Sequence, residues 1–236
     1  MSPHQIYIPK LTPINKVIII AAASSLVLQS LLSKITGFSA PALFGLFLPR
    51  LAEGHIYQLI TYPLPQAGLM STVFDGLVIW FIGSELESSW GRKFYIKFLI
   101  TSLLSAAVFY LLFSLIIPSG FPLVGITGIS YALLLSYGIL YPDRTFVFML
   151  IFPMKAKHFC LLIIGILFFS GIFSNNPSSW GHLGAVFGAF GQMVMTTLYR
   201  QKKRSFLTSF KKISKKTPHL HIVKDDTEEK DPKYWH

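Results

Sequence analysis

Charge is what this sequence lacks most: 13% of its 236 residues are Asp, Glu, Lys or Arg, against about 25% in an ordinary soluble domain. The shortage is uneven. Between Arg92 and Tyr199 only Arg92, Lys93, Lys97, Asp143, Arg144, Lys155 and Lys157 are ionised at neutral pH. That stretch excludes a solvated globular surface and fits a membrane domain, whereas the chain from Arg200 onward is highly charged. Cysteine is nearly absent too. Cys160 stands alone in an apolar run, so it can form no internal disulfide, and no metal-ligand spacing surrounds it. Acidic residues number 10 against 21 Lys and Arg, a net charge of +11. That balance raises nucleic acid as a partner, but position argues against it. Arg200, Lys202, Lys203, Arg204, Lys211, Lys212, Lys215 and Lys216 directly follow an apolar helix. Basic residues there set membrane topology and grip anionic lipid.

What is present is a series of apolar runs. A span needs about 20 mostly apolar residues, and the pattern places spans near Val17–Ile35, Gly68–Ile82, Phe94–Ile117, Gly125–Leu140, His158–Phe173 and Trp180–Tyr199. The first run resembles a signal h-region but lacks a small-x-small cleavage site, and further spans follow it. The second and fourth are short, which suits helices whose ends are covered by protein or water. Phe38 to Pro63 is apolar but broken by Pro41, Pro49 and Pro63, and reads as an interfacial connection. Phe146–Phe152 ends at Pro153 and reads as a helix end or an extended return. The organisation expected is a polar segment over 1–16, a membrane domain over 17–200 and a charged, disordered tail over 201–236 with a short amphipathic piece near Phe206–Ile213.

Lys and Arg give an orientation. With the N-terminus inside, the inner segments hold Lys10, Lys16, Arg92, Lys93, Arg144, Lys155, Lys157 and the tail, and the outer ones only Lys34 and Arg50. This asymmetry predicts an integral, multi-pass protein of bacterial inner-membrane type with both termini cytoplasmic. No internal repeat pairs the two halves, which weakens a transporter reading.

Two polar groups stand at helix starts on the outer side. Thr127 lies in Gly125-Ile126-Thr127-Gly128, opening the fourth span, and His182 in Trp180-Gly181-His182-Leu183-Gly184, opening the sixth. A hydroxyl and an imidazole are the minimum set for a nucleophile and its base. Small residues recur at helical spacing, Gly125, Gly128, Ala132 and Ser136 in one helix and Gly181, Gly184, Gly188 and Gly191 in the other. Such faces let backbones approach closely. The pattern leaves two readings open: a site at Thr127 and His182, or packing faces alone.

These motifs, in order, resemble the rhomboid family of intramembrane serine proteases. That family opens its fourth span on Gly-x-Ser-Gly and its sixth on a histidine before a Gly-rich run. It carries a tyrosine one turn past the nucleophile, where this chain has Tyr131. Ile82-Gly83-Ser84-Glu85-Leu86-Glu87-Ser88-Ser89-Trp90-Gly91 is similar to its Phe-Gly-x-x-x-Glu-x-x-x-Gly. Tyr57-Gln58-Leu59-Ile60-Thr61 is similar to its Trp-Arg-Leu-x-Thr, and Phe152-Pro153-Met154-Lys155-Ala156-Lys157 to the lead into its fifth span. The resemblance covers about residues 55 to 199. It implies an all-α membrane protein, a six-transmembrane-helix rhomboid-like bundle. It also implies Thr127 as nucleophile, His182 as base and then acid, and Tyr131 stacked on the histidine. The substrate or client would be a transmembrane protein held among membrane lipids, with no nucleic acid, metal or cofactor.

The departures are chemical. Threonine at 127 keeps the hydroxyl but adds a methyl and stiffens χ1. The family's histidine and asparagine that steady the oxyanion fall at Ser71 and Asp75. Ser71 donates one bond from a shorter arm. Asp75, when ionised, only accepts and repels a developing oxyanion. Loss of one such donor costs about a hundred- to a thousandfold in rate; backbone N–H groups near Gly125 and Thr127 remain. Two functions therefore follow: a Thr127–His182 endopeptidase, or a pseudoprotease that keeps the fold and the client site without turnover. A small transporter is a third class. Glu85 and Glu87, beside Arg92 and Lys93, are expected in structural pairs, and His55 and His158 at the interface.

Overall fold

A computed structural model describes residues 9–117, 120–148, 152–174 and 176–214. The chain divides into two units, Met1–Met195 and Thr196–His236, and the candidate site lies in the first. Helix α1 (Pro13–Thr36) starts on a proline, whose missing N–H costs nothing at a first turn, and stops at Gly37 in the left-handed region. Three short helices follow, α2 (Ala40–Phe44), α3 (Leu48–Ala52) and α4 (Gln58–Thr61). They are the proline-broken connection expected from sequence. Helix α5 (Leu69–Val78) passes through a π-helical turn, Ile79–Gly83, into α6 (Ser84–Trp90). The second span therefore runs eight residues beyond its predicted end at Ile82. A side chain at Gly83 would stand 2.7 Å from the Tyr95 hydroxyl, so the turn is packed directly against its neighbours.

Helix α7 (Arg92–Ile116) is followed by α8 (Thr127–Leu140), α9 (Ala156–Phe173) and α10 (Pro177–Ser214). Between α8 and α9 lies an antiparallel pair, β1 (Thr145–Phe148) and β2 (Phe152–Lys155), with Thr145 opposite Lys155. The described part of that stretch, Phe146–Phe148 and Phe152, is thus extended rather than a helix end, and 149–151 lie outside the described residues. Helix α10 continues past the boundary expected at 200 to Ser214, into the tail expected over 201–236; the rest of that tail, 215–236, lies outside the described residues.

All six predicted spans are helical, and the fold is an all-α membrane bundle with one small hairpin. Among the described residues four helices, Pro13–Thr36, Leu69–Trp90, Arg92–Ile116 and Ala156–Phe173, are long and apolar enough to cross a membrane. Helix α8 has 14 residues, about 21 Å of rise, and cannot span alone a hydrocarbon layer about 30 Å thick. Its burial explains the difference. Nine residues of α8 are buried, against two of 24 in α1. Helix α8 is the central element, packed against α5, α7 and α9. The main core gathers Ile79, Leu86, Tyr95, Phe98, Ala132 and Leu133 around it. Conversely, Val27 and Leu28 of α1, Leu104 and Leu112 of α7 and Leu161 and Phe169 of α9 are exposed, an apolar belt suited to lipid.

Near the start of α1, Asn15 is fully buried. Its Nδ2 donates to Thr12 Oγ1 at 2.8 Å and Glu87 Oε2 at 3.3 Å, and it accepts from the Tyr95 hydroxyl at 2.6 Å. Arg92 stands 3.9 Å from Glu87, and Arg144 pairs with Glu85 and with the Tyr137 hydroxyl. The Tyr137 hydroxyl and the Glu85 carboxylate push the Arg144 guanidinium further up. Both glutamates are thus in the structural pairs expected of them.

Candidate active site

The site is built at the start of α8. Leu123 pairs with Leu46 through an isolated bridge, which fastens the chain before α8 to the α2–α3 connection. Gly125 then takes φ +83°, a conformation that a Cβ disfavours. Its N–H donates to the Tyr62 carbonyl at 3.0 Å. This turn delivers Thr127 as the first residue of α8, half-buried. In that first turn the Ile129 and Ser130 N–H groups donate to the Ile126 carbonyl; those of Thr127 and Gly128 precede them, where a helix offers its N–H groups no carbonyl of its own.

Ser71 and Asp75 sit one turn apart on α5 and face that hydroxyl. Thr127 Oγ1 donates to Asp75 Oδ2 at 2.8 Å. Ser71 Oγ lies 3.4 Å from the same oxygen and 3.3 Å from Thr127 Oγ1. Each hydroxyl has one hydrogen. With that of Thr127 given to Asp75, that of Ser71 serves either Asp75 or Thr127, not both. Asp75 is fully buried.

On the other side of α8, the His182 ring lies against Gly128. A Cβ at Gly128 would stand 3.5 Å from His182 Nδ1 and 3.2 Å from the Ala185 Cβ. Tyr131 meets the imidazole edge-on, ring centroids 5.7 Å apart and planes at 73°. The fourth and sixth predicted spans therefore touch, at Gly128, and Thr127 and His182 lie at the same end of the bundle. They are not hydrogen-bonded to one another: the Thr127 hydrogen is committed to Asp75, and His182 Nδ1 is buried without a partner.

The glycine stripe of α10 does not face α8. A Cβ at Gly184 would meet Phe109 Cβ at 2.4 Å and the Ser105 carbonyl at 2.8 Å, and one at Gly188 would meet Ser105 Cβ at 2.4 Å. Ser105 Oγ also donates to the Gly184 carbonyl at 2.7 Å. The close approach expected between the fourth and sixth spans is mainly between α7 and α10, and Ala185 supplies the contact with α8.

Sequence reasoning missed Ser130. It is fully buried, and its hydroxyl lies beside Asp75. Its place three residues after Thr127, on the same helix face, was the available signal. Gln66, with its Nε2 on the Pro63 and Leu64 carbonyls, was also missed. Its Oε1 lies 3.4 Å from where a Gly125 Cβ would be. No group of three or more metal-ligating side chains occurs among the described residues.

The family model described as Rhomboid domain matches residues 53–201. No curated protein matches the chain. The matched region holds α5 to α9, the start of α10 and every residue of the candidate site.

Proposed function

The chain belongs to the rhomboid family, since the match runs over more than half of its length, and on that premise we propose that it is a pseudoprotease: it holds a transmembrane client beside Thr127 and His182 without cutting it. The observation that carries this reading is the 2.8 Å hydrogen bond from Thr127 to Asp75. A nucleophilic hydroxyl must give its proton to a base as it attacks. Here that proton points at a carboxylate on α5, away from the imidazole. The same carboxylate occupies the position at which an oxyanion needs a donor, and each missing donor costs about a hundred- to a thousandfold in rate. The threonine methyl adds a steric cost to attack. The protein is read as an integral membrane protein of bacterial inner-membrane type with both termini cytoplasmic, and as a membrane domain over 17–200 followed by the charged segment.

A second reading is favoured by one observation, the edge-on packing of Tyr131 on His182 beside Gly128. In it, Thr127 Oγ1 attacks the scissile carbonyl carbon and His182 takes the hydroxyl proton. His182 then returns the proton to the leaving amine, and water releases the acyl group from Thr127. Gly125 and Tyr131 support the two groups.

One experiment separates the readings. Purified chain in lipid nanodiscs is incubated with a fluorescent single-span substrate and with a phosphonate activity probe. The pseudoprotease reading expects client retention, no cleavage and no probe on Thr127. It also expects cleavage to emerge when Ser71→His, Asp75→Asn and Thr127→Ser are combined. Cleavage by the natural chain that is abolished by Thr127→Val and by His182→Ala would replace it with the second reading.

A further inference from the structure

Helix α1 is tied to the rest of the bundle by side-chain hydrogen bonds in two places about 21 Å apart, at Asn15 and at Gln29. Between them it buries only Ala22. The first tie is the network of Asn15 with Tyr95 and Glu87. The second ends on the loop between α4 and α5. Gln29 Nε2 donates to the Gln66 carbonyl at 2.9 Å, and Gln29 Oε1 accepts from the Gln66 N–H at 3.1 Å. One carboxamide thus satisfies both backbone groups of one residue, as a paired strand would. One turn earlier, Ser25 Oγ donates to the Leu64 carbonyl at 2.5 Å.

The loop gripped in this way wraps around Gly125. The Tyr62 carbonyl accepts from the Gly125 N–H at 3.0 Å. A Cβ at Gly125 would stand 3.4 Å from Gln66 Oε1, 3.7 Å from the Pro65 carbonyl and 3.7 Å from Thr127 Oγ1. The Gln66 side chain is itself held. Its Nε2 donates to the Pro63 and Leu64 carbonyls at 3.1 and 3.0 Å, and the residue is 3% exposed. A chain of contacts therefore runs from Gln29 to Gln66, from Gln66 to Gly125, and through two residues of backbone to Thr127. Gly125, at φ +83°, is the turn that sets where α8 begins. Thr127 sends its hydrogen to Asp75 across 2.8 Å, and such a bond weakens steeply as its angle closes. A tie that only fastened α1 could end on any carbonyl within reach. This one ends on the residue whose side chain abuts Gly125.

We propose that Gln29 is a positioning residue for the candidate site: acting through Gln66, it fixes the Gly125 turn and with it the direction in which Thr127 gives its hydrogen. Helix α1 is the least buried of the four candidate spans among the described residues, so the helix most open to lipid is also one that steadies the site. This stands apart from client holding, because it concerns the geometry of the site with or without a client.

The test uses the full chain in nanodiscs with 13C in the threonine methyl groups. The methyl and the hydroxyl of Thr127 share one χ1 rotor, so the methyl resonance reports where the hydroxyl points. It is assigned by its loss in Thr127→Ser. Gln29→Met keeps the length of the side chain and removes both hydrogen bonds; it should move or split the Thr127 resonance by more than its linewidth. Gln66→Ala leaves the Gln66 backbone to Gln29 but removes the side chain beside Gly125, and should do the same. The two together should move the resonance no further than Gln66→Ala alone. Asn15→Leu loosens the other tie of α1 and should leave the resonance in place while lowering stability. An unmoved resonance in Gln29→Met overturns the proposal. An equal movement in Asn15→Leu, the mark of general loosening, overturns it too, as do Gln29→Met and Gln66→Ala shifts that simply add. If Gln29→Met does not fold, Gln29→Asn, one methylene short of the same carbonyl, is read by the same criterion.

Discussion

Single alanine substitutions along the glycine stripe of α10 have opposite expected signs, and the difference comes from distances. At Gly188 a new Cβ would lie 2.4 Å from Ser105 Cβ and 2.7 Å from Ser105 Oγ. Carbon atoms rest at about 3.5–4.0 Å, so the contact is short by about 1 Å or more. Rotation of Ser105 gives no relief, because its Cβ is fixed to the backbone. Its Oγ is also occupied by the Gly184 carbonyl at 2.7 Å. Helix α10 must therefore withdraw from α7. Overpacking of this kind costs about 1–3 kcal/mol, and the Ser105 hydrogen bond adds about 1 kcal/mol if lost. Against this, alanine is worth about 0.8–1.0 kcal/mol over glycine in a helix. The net for Gly188→Ala is a loss of about 1–3 kcal/mol. Gly191, three residues on, has nothing within 4 Å of its would-be Cβ. There only the helix gain of about 0.8–1.0 kcal/mol applies, so Gly191→Ala should stabilise. Unfolding free energies measured by SDS titration in mixed micelles should separate the two variants by about 2–4 kcal/mol. Stabilities equal within about 0.5 kcal/mol, or Gly191→Ala as the weaker variant, would refute the seating of α10 on α7 and with it the position of His182.

Three further outcomes are expected. Thr127→Val removes the 2.8 Å donor to Asp75 and should cost about 1–3 kcal/mol, whereas Thr127→Ser should stay within about 1 kcal/mol, both read by the same titration. Asn15→Leu leaves the Tyr95 hydroxyl and Glu87 Oε2 without their Asn15 hydrogen bonds and should lower stability by about 2–4 kcal/mol, with Asn15→Gln falling between. The Glu85–Arg144 pair is part-exposed, 26% and 53% at the side chains. Glu85→Gln should therefore cost less than about 1 kcal/mol, an effect that disappears when thermal unfolding is repeated in 1 M salt.

Helix positions were legible in the sequence for a simple reason. A bilayer demands long apolar runs with satisfied backbones, so hydropathy alone located α1, α7 and α9. The polar landmarks Thr127 and His182 stood out because their flanking glycines and apolar neighbours left little else to carry chemistry. The glycine spacing of α10 was visible too, but a spacing names no partner. Ser105, polar and ordinary in sequence, is what α10 rests on.

Sequence by itself determined the class of molecule, the family, the order of spans and which side chains could meet at one end of the bundle, because those follow from composition and from motifs read locally along the chain. Tertiary structure alone decided which groups do meet. Whether the single hydrogen of Thr127 goes to an imidazole or to a carboxylate depends on angstrom-scale positions of α5 and α10 around α8. Those positions are set by packing between residues as distant in the chain as Ser105 and Gly188. A hydrogen bond is directional and short, so no periodicity in the sequence specifies it.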